Sequence, residues 1–202
     1  MRKDYNLLYG LVLAGGKSTR MKTDKASLEY FGQKQYVHCF HLLNAFCPKV
    51  FLSLRKGQKD IKEKDFPKIY DISPFLDRGP LGGILSAMKK HPRVSWLVLA
   101  CDLPYVDEKV IQSLIDQRNP KKMATAFQST HDGLPEPLCT VYEAQSQRYL
   151  KMAFSQGIHC PRNILTHADV ELLVSASGQA LDNINNPQEY KEALRHLGNG
   201  KK

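Results

Sequence analysis

Short apolar runs alternate along the chain with longer segments whose apolar residues recur every three or four positions. The apolar runs predict strands covered on both faces of a sheet, at residues 7–13, 50–54, 68–70 and 96–100. The segments between them predict helices at residues 35–46, 80–90 and 107–117. Because strands and helices alternate, we expect an α/β fold built on a mostly parallel sheet.

The alternation is looser after Pro120. Further strands are predicted at residues 124–127, 138–142, 170–174 and 181–184, and helices at residues 143–155 and from Pro187 to about Leu197. Proline is well tolerated at the first position of a helix. We therefore expect one domain over residues 1–198, a single-domain Rossmann-like three-layer sandwich, and a frayed tail at residues 199–202.

Composition narrows the class of partner. The 202 residues are 42% hydrophobic, and 29 Lys and Arg against 20 Asp and Glu give a net charge of +9, which favours an anionic partner. The densest basic stretch, residues 55–68, alternates with acids and is interpreted as a solvated face.

Five cysteines without a C-x-x-C pair suit a reducing compartment. No apolar run approaches the ~20 residues that span a bilayer. We expect a cytoplasmic protein that binds neither nucleic acid nor membrane.

The first predicted strand ends in the small-residue turn Ala14-Gly15-Gly16. The letters GKST that follow suggest a P-loop, but its first glycine would have to stand five residues before Gly16, where the chain has Leu11. The adjacent glycines do not form a G-x-G-x-x-G dinucleotide site either. Glycines allow close approach of a ligand, and cations can neutralise a polyphosphate. The polar loop carries Lys17, Ser18, Thr19, Arg20, Lys22 and Lys25.

The segment LAGGKSTRMKTDK, residues 13–25, resembles the signature LAGG-x-S-x-R-M-G-x-D-K of the molybdenum cofactor guanylyltransferases, the MobA family of the nucleotidyltransferase superfamily. One departure is Lys22, where the signature has Gly. Four later blocks resemble family segments in the same order: RGPLGGILSAM, LACDLPYV, PLCTVY and NINNPQEY, at residues 78–88, 99–106, 137–142 and 183–190. The resemblance implies a nucleotide-diphospho-sugar transferase-like fold.

Two carboxylates follow predicted strands directly. Asp102 comes after the strand at residues 96–100, and Asp71 ends the strand at residues 68–70. Open α/β folds bind ligands at the carboxyl edge of the sheet, and Mg²⁺ takes one or two carboxylates together with phosphate oxygens and water. We therefore expect a site for Mg²⁺ and a triphosphate at this edge. Helix capping is the alternative for Asp102, and a turn role is the alternative for Asp71.

The resemblance implies transfer of GMP from GTP to the phosphate of molybdopterin, or of its molybdenum form, with release of pyrophosphate. By this resemblance Asp102 holds Mg²⁺, while Lys25 and Arg20 contact the phosphates. Hydrogen bonds come from Ser18 and the backbone of Gly15 and Gly16. The nucleotide site further includes Leu13, Ala14, Asp71, Gly79, Pro80 and Leu81. Asn183 and Asn185 would lie near the pterin. The alternative role for these two residues is to form a turn before a helix.

Two other functions remain open from the sequence. One is a cytidylyltransferase acting on molybdopterin or another phosphorylated metabolite, and the other is an inert nucleotide-binding protein. The joint presence of Lys25, Asp71 and Asp102 argues against the inert binder. The resemblance is also compatible with partner proteins that deliver molybdopterin or accept the finished cofactor. Three residues stay unassigned: Ser53 and Arg55 near the base or ribose, and Arg162, either a contact of the pterin phosphate or an exposed loop residue.

Overall fold

The computed structural model of the chain describes residues 7–15, 27–58, 61, 65–174 and 179–199. Strands and helices alternate through most of these ranges. The strands are β1 (Leu8–Leu13), β2 (Glu29–Tyr30), β3 (Gln33–Lys34), β4 (Val50–Leu54), β5 (Lys68–Tyr70), β6 (Ser95–Ala100), β7 (Ala124–Gln128), β8 (Pro135–Tyr142) and β9 (Val170–Leu173). The helices are α1 (Gln35–Asn44), α2 (Gly79–Lys90), α3 (Glu108–Asp116), α4 (Ser146–Ser155), α5 (Pro161–Thr166) and α6 (Pro187–Asn199).

Seven of these strands form one sheet in the order β5-β4-β1-β6-β8-β7-β9. Only β8 runs antiparallel to its neighbours in that sheet. After β1 the chain builds β4 and β5 on one side and then returns to place β6 on the other side. A parallel sheet leaves a crevice outside the carboxyl ends of its strands where the strand order reverses in this way. The topology therefore directs attention to the ends of β1 and β6.

Helices cover both faces of this sheet. One apolar cluster joins α1 and α3 to the sheet, and a second joins α2, α4 and α5 to the opposite face. Along β6, Leu97 and Leu99 belong to the first cluster, while Trp96 and Val98 belong to the second. Burial on both faces explains why the strand is apolar at consecutive positions. The predicted three-layer arrangement around a mostly parallel sheet is confirmed.

A smaller cluster attaches α6 to the hairpin formed by β2 and β3. Tyr30 and Tyr190 meet at nearly right angles with ring centres 5.2 Å apart, and the Tyr190 hydroxyl donates to the carbonyl of Glu29 over 2.9 Å. Just before α6, the Ile184 N–H donates to the carbonyl of Asp102 over 2.9 Å. The chain segment ahead of α6 is thereby held against the carboxyl end of β6.

The element predictions are mostly right, and their errors have physical causes. The strands at residues 50–54 and 68–70 have the predicted bounds, and the other matched elements shift by a few residues. The strand predicted at residues 181–184 is wrong: the segment is a turn followed by residues without regular secondary structure, and the Ile184 N–H bonds to Asp102 instead of a strand. The short elements β2, β3 and α5 were not predicted. Helix α6 extends to Asn199, one residue into the predicted tail.

A buried ion pair closes the amino end of β6. The Arg118 guanidinium forks onto Glu143, with Nε to Oε1 at 2.7 Å and Nη2 to Oε2 at 2.8 Å. The Ser95 hydroxyl, on the first residue of β6, donates to the same carboxylate over 2.7 Å. Such two-point pairs are among the stronger polar contacts in proteins. This pair lies at the opposite end of the sheet from the β1 and β6 crevice.

Gly82 shows how tightly α2 packs against the segment after β5. A Cβ atom at this position would lie 2.4 Å from the carbonyl oxygen of Phe75. We expect Gly82→Ala to lower the free energy of unfolding by about 1–3 kcal/mol, since the backbone must shift to relieve the overlap. Chemical denaturation measures this change. Lys89→Ala, at an exposed position on the same helix, should stay within about 0.5 kcal/mol of the parent protein. Equal stability of the Gly82 and Lys89 variants would contradict the packing argument.

Candidate active site at the carboxyl edge of the sheet

Four parallel strands end side by side and place their following residues in one row. These residues are Ala14, Arg55, Asp71 and Cys101-Asp102, after β1, β4, β5 and β6. Backbone hydrogen bonds continue beyond the strand ends, from Ala14 N–H to the carbonyl of Ser53 at 3.1 Å and from Asp71 N–H to that of Leu54 at 3.0 Å. The candidate residues are therefore mounted on ordered backbone, as a site that must position its ligand requires.

The turn after β1 runs directly against the end of β4. A Cβ on Gly15 would lie 3.1 Å from the backbone nitrogen of Arg55, so a side chain there would press on that backbone. Gln58 fastens the two segments, because its Nε2 donates to the Ala14 carbonyl over 2.9 Å and its Oε1 accepts the Arg55 N–H over 3.2 Å. Sequence reasoning did not identify Gln58. The predicted residues Gly16, Ser18, Arg20 and Lys25, together with Lys22, lie outside the described residues.

Asp71 is a buried carboxylate at this edge, with only 8% of its surface exposed. Its pKa is raised to about 6, mainly by burial and then by the charge of Asp77, while Arg55 acts in the opposite direction. A buried acid with a strongly shifted pKa is a frequent mark of a functional site. The structure thus holds Asp71 as a carboxylate whose ionisation the fold disfavours.

The raised pKa of Asp71 predicts a pH-dependent gain in stability on its removal. The ionised form is destabilised in the folded chain above about pH 6, and the penalty disappears near pH 4, where the folded protein holds the proton. Asp71→Asn should therefore raise the free energy of unfolding by about 2 kcal/mol near pH 7.5 and change it little near pH 4. Denaturation at the two pH values tests this. The exposed Asp65→Asn is the matched control. A loss of stability at neutral pH would contradict the assignment.

Asp102 follows β6 and is half-buried. The capping role considered for it belongs to Asp107, whose Oδ1 accepts the Val110 N–H over 2.9 Å at the start of α3. The negative charge of Asp102 contributes to raising the pKa of two buried groups, Tyr30 and Glu136. Asp102 therefore lies between the β2–β3 hairpin and the pocket that contains Glu136.

Helix α2 lies against the ends of β1 and β4. A Cβ on Gly83 would be 2.3 Å from Ser53 Oγ and 3.2 Å from Leu13 Cδ2, so this glycine permits the close approach. Ser53 is buried beneath the helix. Of the predicted nucleoside residues on α2, Gly79 and Pro80 are exposed at its start, whereas the Leu81 side chain is fully buried in the core. Leu81 as a whole residue is 0% exposed, so neither its side chain nor its backbone is open to a ligand at this edge.

A pocket of about 470 Å³ opens beside Asp102. It lies between the carboxyl end of β7, helix α5 and the segment that precedes α6, and Ile184, which bonds to the Asp102 carbonyl, is part of its wall. Its lining includes the predicted residues Asn183, Asn185 and Arg162, and also Tyr105, Asp132 and Glu136. Sequence reasoning missed the last three, although Glu136 directly precedes the block PLCTVY.

The two predicted asparagines in the pocket are not the cap of α6. That role falls to Asn186, whose Oδ1 accepts the N–H groups of Gln188 and Glu189, both at 3.0 Å. The Glu189 carboxylate completes the arrangement by accepting the Asn185 N–H over 2.6 Å. Within the described part of the chain, the buried Asn183 Oδ1 has no hydrogen-bond partner. Leaving such an atom unpaired costs about 1–3 kcal/mol, so a ligand with a hydrogen-bond donor would be favoured there.

Within residues 7–15, 27–58, 61, 65–174 and 179–199, no group of three or more His, Cys, Asp or Glu is placed to hold a metal ion. None of the helices in these same ranges has the length and apolar character needed to cross a bilayer.

The sequence matches a family model and several known proteins. The model described as the MobA-like NTP transferase domain matches residues 10–171. A molybdenum cofactor biosynthesis bifunctional protein from Synechocystis is 38% identical over 184 residues, covering 91% of this chain and 52% of that protein. The chain thus spans about half the length of that relative. A probable molybdenum cofactor guanylyltransferase from Flavobacterium johnsoniae is 28% identical, with 90% and 93% coverage.

Solved structures share the fold. Molybdopterin-guanine dinucleotide biosynthesis protein A from Archaeoglobus fulgidus superposes with a TM-score of 0.78 at 22% identity, covering 95% of this chain and 99% of that one. The 2-C-methyl-D-erythritol 4-phosphate cytidylyltransferase from Thermus thermophilus gives 0.68 at 11% identity, covering 93% and 98%. The expected nucleotide-diphospho-sugar transferase-like fold is confirmed.

Proposed function

The chain belongs to the MobA-like NTP transferase family, and we propose that it is a molybdenum cofactor guanylyltransferase. It transfers GMP from GTP to the phosphate of molybdopterin, or of its molybdenum form, and releases pyrophosphate. The observation that carries the proposal is one row of strand ends that presents the Ala14-Gly15 turn, Asp71 and Asp102, beside a pocket lined by Asn183 and Asn185. The name of the Flavobacterium relative, a probable molybdenum cofactor guanylyltransferase, supports the same activity.

The proposed reaction needs no catalytic base. A phosphate monoester is largely ionised at neutral pH, because its second pKa is about 6. One of its oxygens attacks the α-phosphorus of GTP, and the bond from that phosphorus to the bridging oxygen breaks as pyrophosphate leaves. The protein must align the two substrates and neutralise the charge on the phosphates. These are tasks for fixed backbone, cations and a metal ion rather than for a proton-transfer group.

Asp102 fits the requirements of a Mg²⁺ ligand. It is a half-buried carboxylate at a strand end, and Mg²⁺ commonly takes one or two carboxylates while substrate oxygens and water complete its shell. When bound, Mg²⁺ would supply positive charge to the phosphate oxygens. Arg20 and Lys25 would contact the triphosphate, and Ser18 with the backbone of Gly15 and Gly16 would donate hydrogen bonds to it.

We assign Asp71 to the guanine base. Guanine presents two adjacent donors, N1–H and the 2-amino group, and a carboxylate can accept both. Cytosine presents acceptors at O2 and N3 and offers only its 4-amino group as a donor, so a carboxylate favours guanine. Asp71 is buried, and it lies in the same row as Ala14 and the start of α2. Leu13, Ala14, Gly79 and Pro80 would complete the nucleoside site.

The pocket beside Asp102 is the proposed site of molybdopterin. Its wall joins Asp102 through the Ile184 hydrogen bond, so an acceptor in the pocket lies close to the GTP phosphates. Asn183 Oδ1, which has no hydrogen-bond partner among the described residues, offers an acceptor to the N–H groups of a pterin, and Arg162 offers donors to its oxygen atoms. Proteins that supply molybdopterin or receive the product would meet the chain at this pocket.

All five cysteines are free thiols, which suits an activity in the reducing cytoplasm.

A nucleotide panel tests the proposal. The purified chain is mixed with GTP, CTP or ATP, with and without Mg²⁺ and with and without molybdopterin, and pyrophosphate release is measured. Release is expected from GTP only, and only with both Mg²⁺ and molybdopterin present. Turnover of CTP but not GTP would establish the cytidylyltransferase alternative. Tight nucleotide binding without release under any condition would identify an inert binder.

A further inference from the structure

Strand β8 carries a buried glutamate at each end, and each glutamate is paired with an arginine. Glu136 lies near the beginning of the strand and is 2% exposed, while Glu143 directly follows its last residue and is 3% exposed. Glu143 and Arg118 lie at the amino end of β6, away from the candidate site. Glu136 and Arg162 line the pocket beside Asp102. The same chemical pair therefore occurs once inside the proposed site and once outside it.

Glu136 is anchored to its own strand. Its Oε1 accepts the Leu138 N–H over 2.8 Å, and its Oε2 accepts Nη2 of Arg162, also over 2.8 Å. Burial raises the pKa of Glu136, and the Leu138 N–H and the Arg162 charge oppose that rise. A carboxylate fixed in this way by sheet backbone is a rigid support for the guanidinium that it holds.

Arg162 is the more exposed partner of this pair. It stands in the first turn of α5 with its side chain 30% exposed, and its Nη1 also contacts the exposed Asp132 over 3.0 Å. A guanidinium has five N–H donors, and these two ion pairs use one donor each. An unsupported arginine loses about 2 kcal/mol of rotamer entropy when a ligand fixes it. Holding it beforehand spares the ligand that cost.

We propose that Glu136 is a positioning residue, which holds the Arg162 guanidinium in the pocket so that its other N–H groups bind oxygen atoms of the phosphorylated acceptor. This rests on the proposed function, because that function assigns the acceptor to this pocket. Glu136 itself contacts Arg162 and its own strand, and it acts on the acceptor through Arg162. Loss of the Glu136 carboxylate should therefore weaken binding of the acceptor and leave binding of GTP unaffected.

The test is the dissociation constant of molybdopterin and of GTP, measured by calorimetry on the full chain, since neither measurement requires turnover. Glu136→Gln keeps the shape and removes the charge. We expect about a tenfold weaker molybdopterin affinity and a GTP affinity within about twofold of the parent protein. Glu143→Gln is the matched control, because it removes the same charge from the other end of β8 and should leave both affinities unchanged.

A double-mutant comparison separates a positioning role of Glu136 from a general loss of structure in the pocket. Arg162→Lys should weaken the affinity for molybdopterin by about the same factor. Adding Glu136→Gln to this variant should cause little further loss of affinity. Equal losses in the Glu136 and Glu143 variants, additive losses with Arg162→Lys, or an unchanged molybdopterin affinity in Glu136→Gln would each overturn the inference. If Glu136→Gln does not fold, Glu136→Asp carries the same expectation. A parent protein that binds molybdopterin yet transfers no GMP contradicts the proposed function alone.

Discussion

Asp102→Asn is expected to lower kcat for GMP transfer by about 10³-fold. A metal ion on the phosphate oxygens lowers the activation free energy by several kcal/mol, and each 1.4 kcal/mol corresponds to about tenfold in rate. A neutral amide is a poor substitute for a carboxylate as a Mg²⁺ ligand. The rate is measured as pyrophosphate release from GTP at saturating Mg²⁺ and molybdopterin. The half-buried position of Asp102 makes the substitution compatible with folding.

Asp107→Asn is the control for this variant. It makes the same chemical change a few residues further along the same loop, and asparagine caps a helix about as well as aspartate, so α3 should keep its cap. Activity and stability of this control should stay near those of the parent protein. Near-normal turnover in Asp102→Asn, or an equal loss in Asp107→Asn, would remove Asp102 from the metal site.

Asp71→Asn is expected to weaken GTP binding by about 10²-fold. The carboxylate is proposed to accept two hydrogen bonds from guanine, and hydrogen bonds to a charged group contribute about 1.5–3 kcal/mol each. CTP should be affected much less, so the ratio of the two affinities should fall. Equilibrium titration with each nucleotide in the presence of Mg²⁺ measures the change. Asp65→Asn should leave both affinities unaltered.

The same substitution should act in opposite directions on stability and on binding. Because burial raises the pKa of Asp71 to about 6, the free protein should gain stability near neutral pH when the charge is removed. A GTP affinity that falls as the parent protein is taken below about pH 6, with no such fall in Asp71→Asn, would identify the ionised carboxylate as the group that recognises the base. Uniform weakening of GTP and CTP would contradict a role in base choice.

The sequence predicted that Asp71 and Asp102 follow strands that end at one edge of the sheet, because the signals are local. Asp71 and Asp102 each follow a short apolar run, and the carboxyl ends of parallel strands meet at one edge. Ala14 and Gly15 could be placed by the same reasoning. The ligand-binding roles of all these residues, and those of Gly16, Ser18, Arg20 and Lys25, stay predictions.

The rest of the site depends on contacts between distant segments, which spacing does not reveal. Gln58 is recognisable only after β4 is placed beside β1, and Glu136 only after α5 brings Arg162 to the start of β8. The wrong strand at residues 181–184 has the same origin, because the N–H of Ile184 is used by Asp102. Helix α5 and strands β2 and β3 are too short for a periodic signal to develop.

The fate of the α-phosphate of GTP tests the proposed transfer of GMP most sharply. GTP labelled at the α-phosphorus is incubated with the chain, Mg²⁺ and molybdopterin, and the products are separated and counted. The label is expected to move onto molybdopterin as GMP, with one pyrophosphate released for each labelled product, and Asp102→Asn should slow this transfer by about 10³-fold. Label that appears only as free GMP, or transfer from CTP while GTP stays intact, would contradict the account.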